Sequence, residues 1–561
     1  MKKFSSNNKK FLFILVALVF ICIVGGSLRF WKISTHPVSF HIDEAAIAYN
    51  SYSILKTGRD EWGNFLPLSF RSFNDYKAPV LIYLMTPAIA LFGLNEFGVR
   101  FTVALIGTLT LLMVFFLTSK ITKNKTLALL TTFSLAISPW HIYFSRATFE
   151  SIVALFFTIT GAFIFLRALG KEGRLLWLSG IFFSLSLYTY HAEKIFTPIL
   201  VLGMIVIYRK ELLKYKLALL KMLVVSFLIL IPLLFMSFRV EGQARAKMAL
   251  LTQDEHISYQ LHQQGERLNN IQSLLDNNLI MVGNFWIKRY LNYWDPSFLF
   301  FNGLKLTSPN LPDTGLFYFF EIPLFIIGLW LLFFKEGIKD KKAKALIALW
   351  LLAGPLAASL ANNEQHALRN LTMIPAPHIL VGMGSLFILG YIKRFNPIKK
   401  VILSLLILFA VVINILYVGD LYFIHLPAIN SEWWDYGLKE ASLYAWEHQK
   451  EYQEIIFDPA FGTQGPFIIG TPYLYALIYG NYDPYLYQTD PKRMENGQET
   501  YNFANFTFRP IYWPEDRFKK NTLFIGTPWS LPLKDIKEKQ FLKRVYFKNG
   551  ELGFLVVKSE D

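Results

Sequence analysis

The sequence predicts an α-helical membrane protein of about 11 spans that ends in a small α/β domain. Apolar residues make up 53% of the chain and the mean hydropathy is +0.36, which is typical of polytopic membrane proteins and excludes an ordinary soluble one. Long apolar runs alternate with short Lys/Arg clusters up to about residue 420. Beyond that point the apolar runs shrink to strand length, so we expect two domains, 1–419 and 420–561.

The formal net charge of +16 is best explained by membrane orientation. In a soluble protein it would indicate a nucleic-acid partner. Here the cations lie between apolar runs, where they mark the cytoplasmic side, and we expect no nucleic-acid partner. If all the clusters are cytoplasmic, two spans must separate each neighbouring pair. The clusters are Lys2, Lys3, Lys9 and Lys10; Lys120, Lys123 and Lys125; Arg167, Lys171 and Arg174; Arg209, Lys210, Lys214 and Lys216; Lys335, Lys339, Lys341, Lys342 and Lys344; and Lys393, Arg394, Lys399 and Lys400.

The apolar runs fit this rule if one of them does not cross the bilayer. The run from Pro79 to Phe92 is the shortest of the three between Lys10 and Lys120 and contains two prolines, so we expect it to lie at, or dip into, the outer surface. The N-terminus is then inside and the C-terminus outside. The predicted spans are 11–29, 101–119, 126–144, 147–166, 175–190, 194–208, 217–236, 316–334, 345–361, 371–391 and 401–418.

This topology brings the unusual charged residues to one side of the membrane. The main outward segments are a first outer loop, 31–99, and a long outer loop, 239–314. We expect a cleft at the outer membrane surface that carries both carboxylates and cations. The charged residues on that side are Asp43, Glu44, Lys77, Arg100, Arg146, Glu150, His191, Glu193, Lys194, Glu364, His366 and Arg369.

The C-terminal domain, 420–561, is predicted to mix strands and helices. Residues 455–457, 522–525 and 554–557 are short apolar runs, and 433–448 is amphipathic. Its many tyrosines either stack on sugar rings or belong to the core, and the sequence leaves both readings open. The tyrosines are Tyr473, Tyr475, Tyr479, Tyr482, Tyr485 and Tyr487.

The pair Asp43-Glu44 follows the first span by about a dozen residues. Two adjacent carboxylates close to a bilayer cost desolvation energy, which favours a functional role. The alternative is that Asp43 caps the helix that follows it, because Asp is a favoured N-cap residue.

Four short motifs together resemble the GT-C glycosyltransferases, and among them the protein O-mannosyltransferases and the aminoarabinose (lipid A) transferases. The motifs are Asp43-Glu44-Ala45, Tyr76-Lys77-Ala78-Pro79, residues 92–100 (FGLNEFGVR) and residues 146–150 (RATFE). The resemblance implies the GT-C fold, a polyprenyl-phosphate-linked sugar donor and inversion at the anomeric carbon. It also implies a multi-pass enzyme of the plasma membrane whose active site and C-terminal domain are extracytoplasmic.

The resemblance implies that Asp43 is the base that accepts the proton of the acceptor hydroxyl. Lys77 matches a lysine that would stabilise the leaving lipid phosphate, and Arg suits bidentate phosphate contact. Two departures, Ala78 for a proline and Tyr76 for an acid, leave donor selectivity and a possible divalent cation open. The predicted site residues are Asp43 and Glu44 as catalytic; Lys77, Arg369 and His366 as donor-phosphate ligands; and Glu150, Arg146, His191 and Tyr76 as substrate-orienting residues.

Several alternatives remain open at this point. Lys77 would be a snorkelling interface lysine, Arg100 would fix the start of its span by a salt bridge, and His191 with Glu193 would be a polar cap rather than metal ligands. The acceptor is protein, lipid or glycan. A transporter or flippase of a polyprenyl-linked lipid would also place charges within a helical bundle. A third alternative is an inactive member of the family whose outer domain binds glycans.

Overall fold

The computed structural model describes residues 6–73, 75–171, 173–237, 278–304, 314–335, 337–361 and 365–560. Most of the first three quarters of the described chain is helical. The helices there are α1 (Ser6–Phe30), α2 (Ile42–Thr57), α3 (Pro79–Phe92), α4 (Glu96–Thr122), α5 (Lys125–Ile137), α6 (Pro139–Ser145), α7 (Glu150–Leu169), α8 (Leu176–Thr189), α9 (Glu193–Ile207), α10 (Arg209–Leu212), α11 (Lys216–Ser237), α12 (Asn278–Asn292), α13 (Glu321–Phe333), α14 (Lys341–Ala353), α15 (Leu356–Ser359), α16 (Ala376–Ile392) and α17 (Pro397–Asp420). A hairpin of β1 (Phe70–Ser72) and β2 (Asp75–Lys77) interrupts this series.

The described helices agree in position with the predicted spans. Six helical segments are long and apolar enough to cross a membrane, and the bent pair α5 and α6 makes a seventh if it counts as one span. Every predicted run contains a helix, but several of these are shorter than a full span, so the figure of about 11 spans stays a prediction. Most of the predicted outer loop 239–314 lies outside the described residues.

The bend of 57° between α5 and α6 has a local cause. Pro139 begins α6 and Ser138 caps it, so the hydrogen bonds of α5 cannot continue. The guanidinium of Arg29, on α1, donates to the carbonyl oxygens of Leu135 at 3.3 Å and Ala136 at 3.1 Å. Ala136 thereby gains a donor inside the bundle, and the carbonyl of Leu135, which also accepts the N–H of Ser138 at 3.3 Å, gains a second one.

The C-terminal region folds around a mixed five-stranded sheet with the order β10-β11-β9-β3-β8. Strand β3 pairs in parallel with β8 and β9, and β11 pairs antiparallel with β9 on one side and β10 on the other. The three predicted strands and the helix within 433–448 are confirmed. The elements are α18 (Leu426–Ile429), α19 (Leu438–Glu447), β3 (Glu454–Phe457), β4 (Ala460–Phe461), β5 (Ile468–Ile469), α20 (Pro472–Tyr479), α21 (Pro484–Thr489), β6 (Met494–Glu495), β7 (Gln498–Glu499), β8 (Phe506–Phe508), α22 (Trp513–Asp516), β9 (Thr522–Gly526), β10 (Phe541–Tyr546) and β11 (Leu552–Lys558).

Helix α20 attaches this domain to the first outer loop through its tyrosines. Tyr473, Tyr475 and Tyr487 are buried, which favours the core reading for these three side chains. The Tyr473 hydroxyl donates to Glu61 at 3.2 Å, and the Tyr479 hydroxyl donates to Glu96 at 2.9 Å. The C-terminal domain therefore packs directly on the segment that carries Asp43 and Glu44.

Candidate active site

The start of α2 is fixed by His41 and not by Asp43. The backbone N–H of Asp43 donates to His41 Nδ1 at 3.2 Å, and the backbone N–H of His41 donates to Glu44 Oε2 at 3.1 Å. This reciprocal pair is a capping box, in which His41 is the N-cap residue. The alternative that Asp43 caps the helix is therefore wrong, and its carboxylate is not used for capping.

The carboxylate of Asp43 is paired with Lys77. Lys77 lies at the end of β2, and its ammonium donates to Asp43 Oδ1 and, at 2.7 Å, to Asp75 Oδ2. The lysine side chain is 2% exposed, whereas that of Asp43 is 34% exposed. A buried lysine held between two carboxylates is not a snorkelling lysine, which would extend its ammonium to the membrane interface.

A cavity of about 50 Å³ opens beside this lysine. Lys77 and Tyr76 line it from the hairpin, His191 lines it from the segment that joins α8 to α9, and Lys194 lines it from the first turn of α9. The structure thus brings together three predicted site residues and adds Lys194 as a second cation. A cavity with two lysines and aromatic walls is suited to an anionic group that carries an apolar or sugar substituent.

Glu44 occupies a different environment from its neighbour. Its side chain and that of Arg100 are both fully buried, with Arg100 Nε 3.1 Å from Glu44 Oε1. The same carboxylate also accepts the backbone N–H groups of Thr148 at 2.8 Å and His41 at 3.1 Å. The predicted salt bridge of Arg100 is confirmed. Because these bonds saturate the carboxylate, the geometry favours a structural role for Glu44 rather than the catalytic one predicted.

Arg146 is also engaged within the protein. Its guanidinium donates to the carbonyl oxygens of Leu28 at 2.6 Å, Trp31 at 2.7 Å and His36 at 3.0 Å. Its Nε donates to the Tyr422 hydroxyl at 3.1 Å. These bonds use the donors with which an arginine would orient a substrate, so the geometry favours a structural role for this predicted site residue.

His366 and Arg369 lie between α15 and α16, and His366 is close enough to His41 for the two charges to interact. Burial, together with the nearby charges of Arg369 and His41, lowers the pKa of His366 to about 4, so this imidazole is neutral at pH 7. Arg369, three residues after His366 in the chain, begins a 3-10 turn, Arg369–Met373. Glu364, which begins the predicted turn, lies outside the described residues.

Glu150 and Glu193 each begin a helix. Glu150 starts α7 and follows Phe149, whose ring lies 6.0 Å from that of His41. Glu193 starts α9, but its carboxylate accepts a hydrogen bond from Thr158 at 3.0 Å inside the bundle. Glu193 is therefore not arranged with His191 as a ligand pair.

No group of three or more His, Cys, Asp or Glu side chains within the described residues could hold a metal ion. The two carboxylates that meet at the site, Asp43 and Asp75, share the Lys77 ammonium. The donor set at this place thus suits a lysine better than a divalent cation, which would need further oxygen ligands. The possible divalent cation of the sequence analysis finds no fitting ligand set here.

The sequence analysis missed four residues of the site. Asp75 precedes Lys77 by two positions, and this spacing on a strand is a signal that could have found it. Lys194 was noticed as an outward charge but was not assigned. Trp434, whose ring lies 5.8 Å from that of His41, and Asp435 come from a distant part of the chain and gave no sequence signal.

The chain is similar to several known proteins in sequence and in fold. Residues 76–235 match the family model described as dolichyl-phosphate-mannose-protein mannosyltransferase. Two uncharacterised proteins of Aquifex aeolicus are 27% identical over 212 residues, 37% of this chain and 40% of the relative, and 28% identical over 158 residues, 28% of this chain and 35% of the relative. The chain thus spans less than half the length of these curated relatives.

Among solved structures, ArnT from Cupriavidus metallidurans in the apo state matches with a TM-score of 0.51 and 11% identity over 98% of this chain and 98% of that chain. The apo oligosaccharyltransferase of Archaeoglobus fulgidus matches with a TM-score of 0.51 and 13% identity over 96% of this chain and 74% of that chain. These structural similarities establish the fold. The chain is a membrane protein of the GT-C fold with a C-terminal sheet domain, and the predicted resemblance to GT-C glycosyltransferases is confirmed.

Proposed function

We propose that the chain is a glycosyltransferase that moves a sugar from a polyprenyl-phosphate donor to an acceptor hydroxyl at the outer surface of the plasma membrane. The observation that carries this proposal is the contact of the Asp43 carboxylate with Lys77 at the edge of a cavity with a second lysine. The Asp43 carboxylate can accept a proton there, and the ammonium groups of Lys77 and Lys194 can neutralise a phosphate.

In the proposed reaction, Asp43 takes the proton of the acceptor hydroxyl while the hydroxyl oxygen attacks the anomeric carbon. The bond between that carbon and the phosphate oxygen breaks, and the configuration inverts. Lys77 and Lys194 stabilise the negative charge that develops on the leaving lipid phosphate. The exposed edge of Asp43 gives the acceptor access to the base.

The contact between Lys77 and Asp43 also implies an order of events, in which the donor binds before Asp43 accepts a proton. While the ammonium is bonded to Asp43, the carboxylate is a weaker proton acceptor, because the positive charge stabilises its ionised form. A donor phosphate that competes for Lys77 would weaken this contact. We propose that donor binding in this way makes Asp43 a stronger base.

The remaining predicted residues receive proposed roles from their positions. Tyr76 and His191 line the cavity and would contact the donor. His366 and Arg369 would contact the donor phosphate, as the sequence predicts, and Glu150 would orient the acceptor from the start of α7. We propose that Glu44 and Arg146 act through the backbone that they hold and not by touching substrate.

The class of donor is supported by the family description, which names a dolichyl-phosphate-linked sugar. A structure of the oligosaccharyltransferase of Archaeoglobus fulgidus contains a tethered acceptor peptide, and that fold also matches this chain, with a TM-score of 0.50 and 14% identity over 97% of this chain and 74% of that chain. A protein acceptor is therefore the first to test, followed by lipid and glycan acceptors.

The test supplies membranes containing the protein with radiolabelled polyprenyl-phosphate sugars and follows label into protein, lipid and glycan fractions. Asp43→Asn should abolish transfer. Asp75→Asn, which alters the other carboxylate on the same lysine, is the matched control and should reduce transfer by no more than about tenfold. An equal loss of transfer in both variants would contradict the role of Asp43 as the base. Movement of labelled carrier lipid across the bilayer without any transfer would favour a transporter.

A further inference from the structure

A tight turn of the C-terminal domain reaches the start of α2. The N–H of Trp434 donates to Asn430 O at 3.0 Å, and the N–H of Tyr436 donates to Ser431 O at 2.9 Å. Between them Asp435 has a φ of +49°, an uncommon value for a residue other than glycine. Its side chain is buried, with the residue 5% exposed. Strained, buried polar residues persist only where the surroundings hold them, and they cluster at functional sites.

The Tyr475 hydroxyl connects this aspartate to the residues before Asp43. The hydroxyl oxygen lies 2.7 Å from the carbonyl oxygen of Phe40 and 3.0 Å from Asp435 Oδ2. A carbonyl oxygen can only accept, and a hydroxyl has one proton to donate. If that proton goes to Phe40, the second hydrogen bond requires a proton on the carboxyl of Asp435. The complete network therefore contains a neutral aspartic acid.

The surroundings agree with a neutral form. Burial raises the pKa of Asp435 to about 7; the hydrogen bond with Tyr475 lowers it in part, and the nearby negative charge of Asp43 adds to the rise. The other ionisable groups around this network are Tyr479, on the same helix as Tyr475, and Glu44, whose charge is compensated by Arg100. Lys77 compensates the charge of Asp43. The two acids of α2 that influence this network thus each have a cation as partner.

We infer that Asp435 is a pH-sensitive positioning residue for Asp43, an inference that rests on the proposed function. In its neutral form it donates to Tyr475, which donates to the carbonyl of Phe40 and so holds the backbone that leads through His41 into α2. When Asp435 ionises, it competes with Phe40 for the single tyrosine proton. It also places a second negative charge beside the base. Both changes disturb Asp43 and its contact with Lys77.

The first test compares transfer well below and well above pH 7, in full-length protein in membranes. We expect wild-type transfer to fall about tenfold for each pH unit above 7, as the neutral fraction of Asp435 falls. Asp435→Asn keeps a donor for Tyr475 at every pH, so its ratio of transfer above and below pH 7 should be much closer to one. Asp458→Asn is the matched control, because Asp458 is another buried acid of the same domain that bonds Ala460 and Ile511. Its pH profile should follow that of the wild type.

A second measurement does not depend on transfer. The infrared difference spectrum between the wild type and Asp435→Asn should contain the C=O stretch of a neutral carboxylic acid, which disappears as the pH is raised through about 7. If Asp435→Asn does not fold, Tyr475→Phe replaces it in the transfer assay. That variant breaks the connection to Phe40 and should also flatten the pH profile.

The outcomes separate this inference from the proposed function. A wild-type pH profile in Asp435→Asn, or no titrating acid band in the difference spectrum, overturns the role of Asp435. If Asp43→Asn abolishes transfer at the same time, the proposed function stands and only this inference fails. If Asp43→Asn transfers normally, the proposed function fails, and the infrared result still decides whether Asp435 is neutral below pH 7.

Discussion

Asp43 and Glu44 are adjacent in the first turn of α2, yet the structure places them in opposite kinds of environment. The Asp43 side chain is 34% exposed and meets a lysine beside a cavity. The Glu44 side chain is fully buried and meets Arg100 together with backbone N–H groups of two other segments. The difference separates a carboxylate that can reach a substrate from one that holds the site together.

The difference follows from helix geometry and from the cation that each acid meets. Successive residues of a helix point about 100° apart, so one side chain faces the cavity while the next faces the bundle. Arg100 has a planar fork of donors that can satisfy a buried carboxylate and three backbone carbonyls at once. Lys77 provides a single ammonium, which a phosphate can also attract.

The largest expected effect is on the buried pair. Arg100→Leu leaves the charge of Glu44 buried without its partner, which should lower the free energy of unfolding by about 3–5 kcal/mol. The check is the unfolding temperature of the detergent-purified protein. The double variant Glu44→Leu/Arg100→Leu should be less destabilised than Arg100→Leu alone, because no unpaired charge remains. If Arg100→Leu were as stable as the wild type, the structural role assigned to the pair of Glu44 and Arg100 would be contradicted.

The second effect concerns the pair of Asp43 and Lys77. Lys77→Met removes the cation that we propose stabilises the leaving phosphate, so turnover with a saturating donor should fall by about 10²–10³-fold while the protein stays folded. Lys519→Met is the control, because Lys519 forms an ion pair at 2.6 Å with Glu454 far from the site in sequence. Faster transfer in Lys77→Met would instead mean that this lysine mainly restrains the base.

A smaller effect is expected at the far wall of the cavity. Lys194→Met should raise the KM for the donor by about tenfold, the equivalent of one charge-assisted hydrogen bond, and should change turnover less. Steady-state kinetics with varied donor concentration measure both constants. A change confined to turnover would place Lys194 in the chemical step and outside donor binding.

At pH 7 the smallest effect is expected at His366, because its contribution to stability changes only on acidification. Because its pKa in the folded protein is about 4, below the usual 6.5, the folded state binds fewer protons than the unfolded state between these values. Its neutral form therefore contributes stability that is present above about pH 6.5 and is lost as the pH falls towards 4. His366→Gln should match the wild type at pH 7 and lose less stability on acidification. Parallel pH dependence of the two unfolding temperatures would contradict this.

The sequence predicted the features that depend on local patterns. Hydropathy located the helices, and the shift to short apolar runs located the strands at 455–457, 522–525 and 554–557. The assignment of Asp43 and Lys77 to one site came from a resemblance of motifs, and the structure brings these two residues together. The capping of α2 by His41 was not foreseen, because histidine is not among the preferred N-cap residues.

The rest depended on contacts between distant segments. Glu44 and Arg146 look like site residues in sequence, because their buried partners at Thr148, Tyr422 and several backbone carbonyls become visible only in the fold. Asp435 and Trp434 reach the site from a turn about 390 residues after Asp43, through the packing of α20 on the first outer loop. No hydropathy periodicity and no local sequence motif indicates such contacts.

The most direct measurement compares Asp43→Asn and Glu44→Gln in parallel for sugar transfer per folded molecule and for unfolding temperature. The account predicts that Asp43→Asn unfolds close to the wild-type temperature and transfers no sugar. It predicts that Glu44→Gln unfolds at a lower temperature and that its folded fraction retains transfer. Transfer by Asp43→Asn, or loss of transfer in fully stable Glu44→Gln, would contradict the division of roles between the two carboxylates.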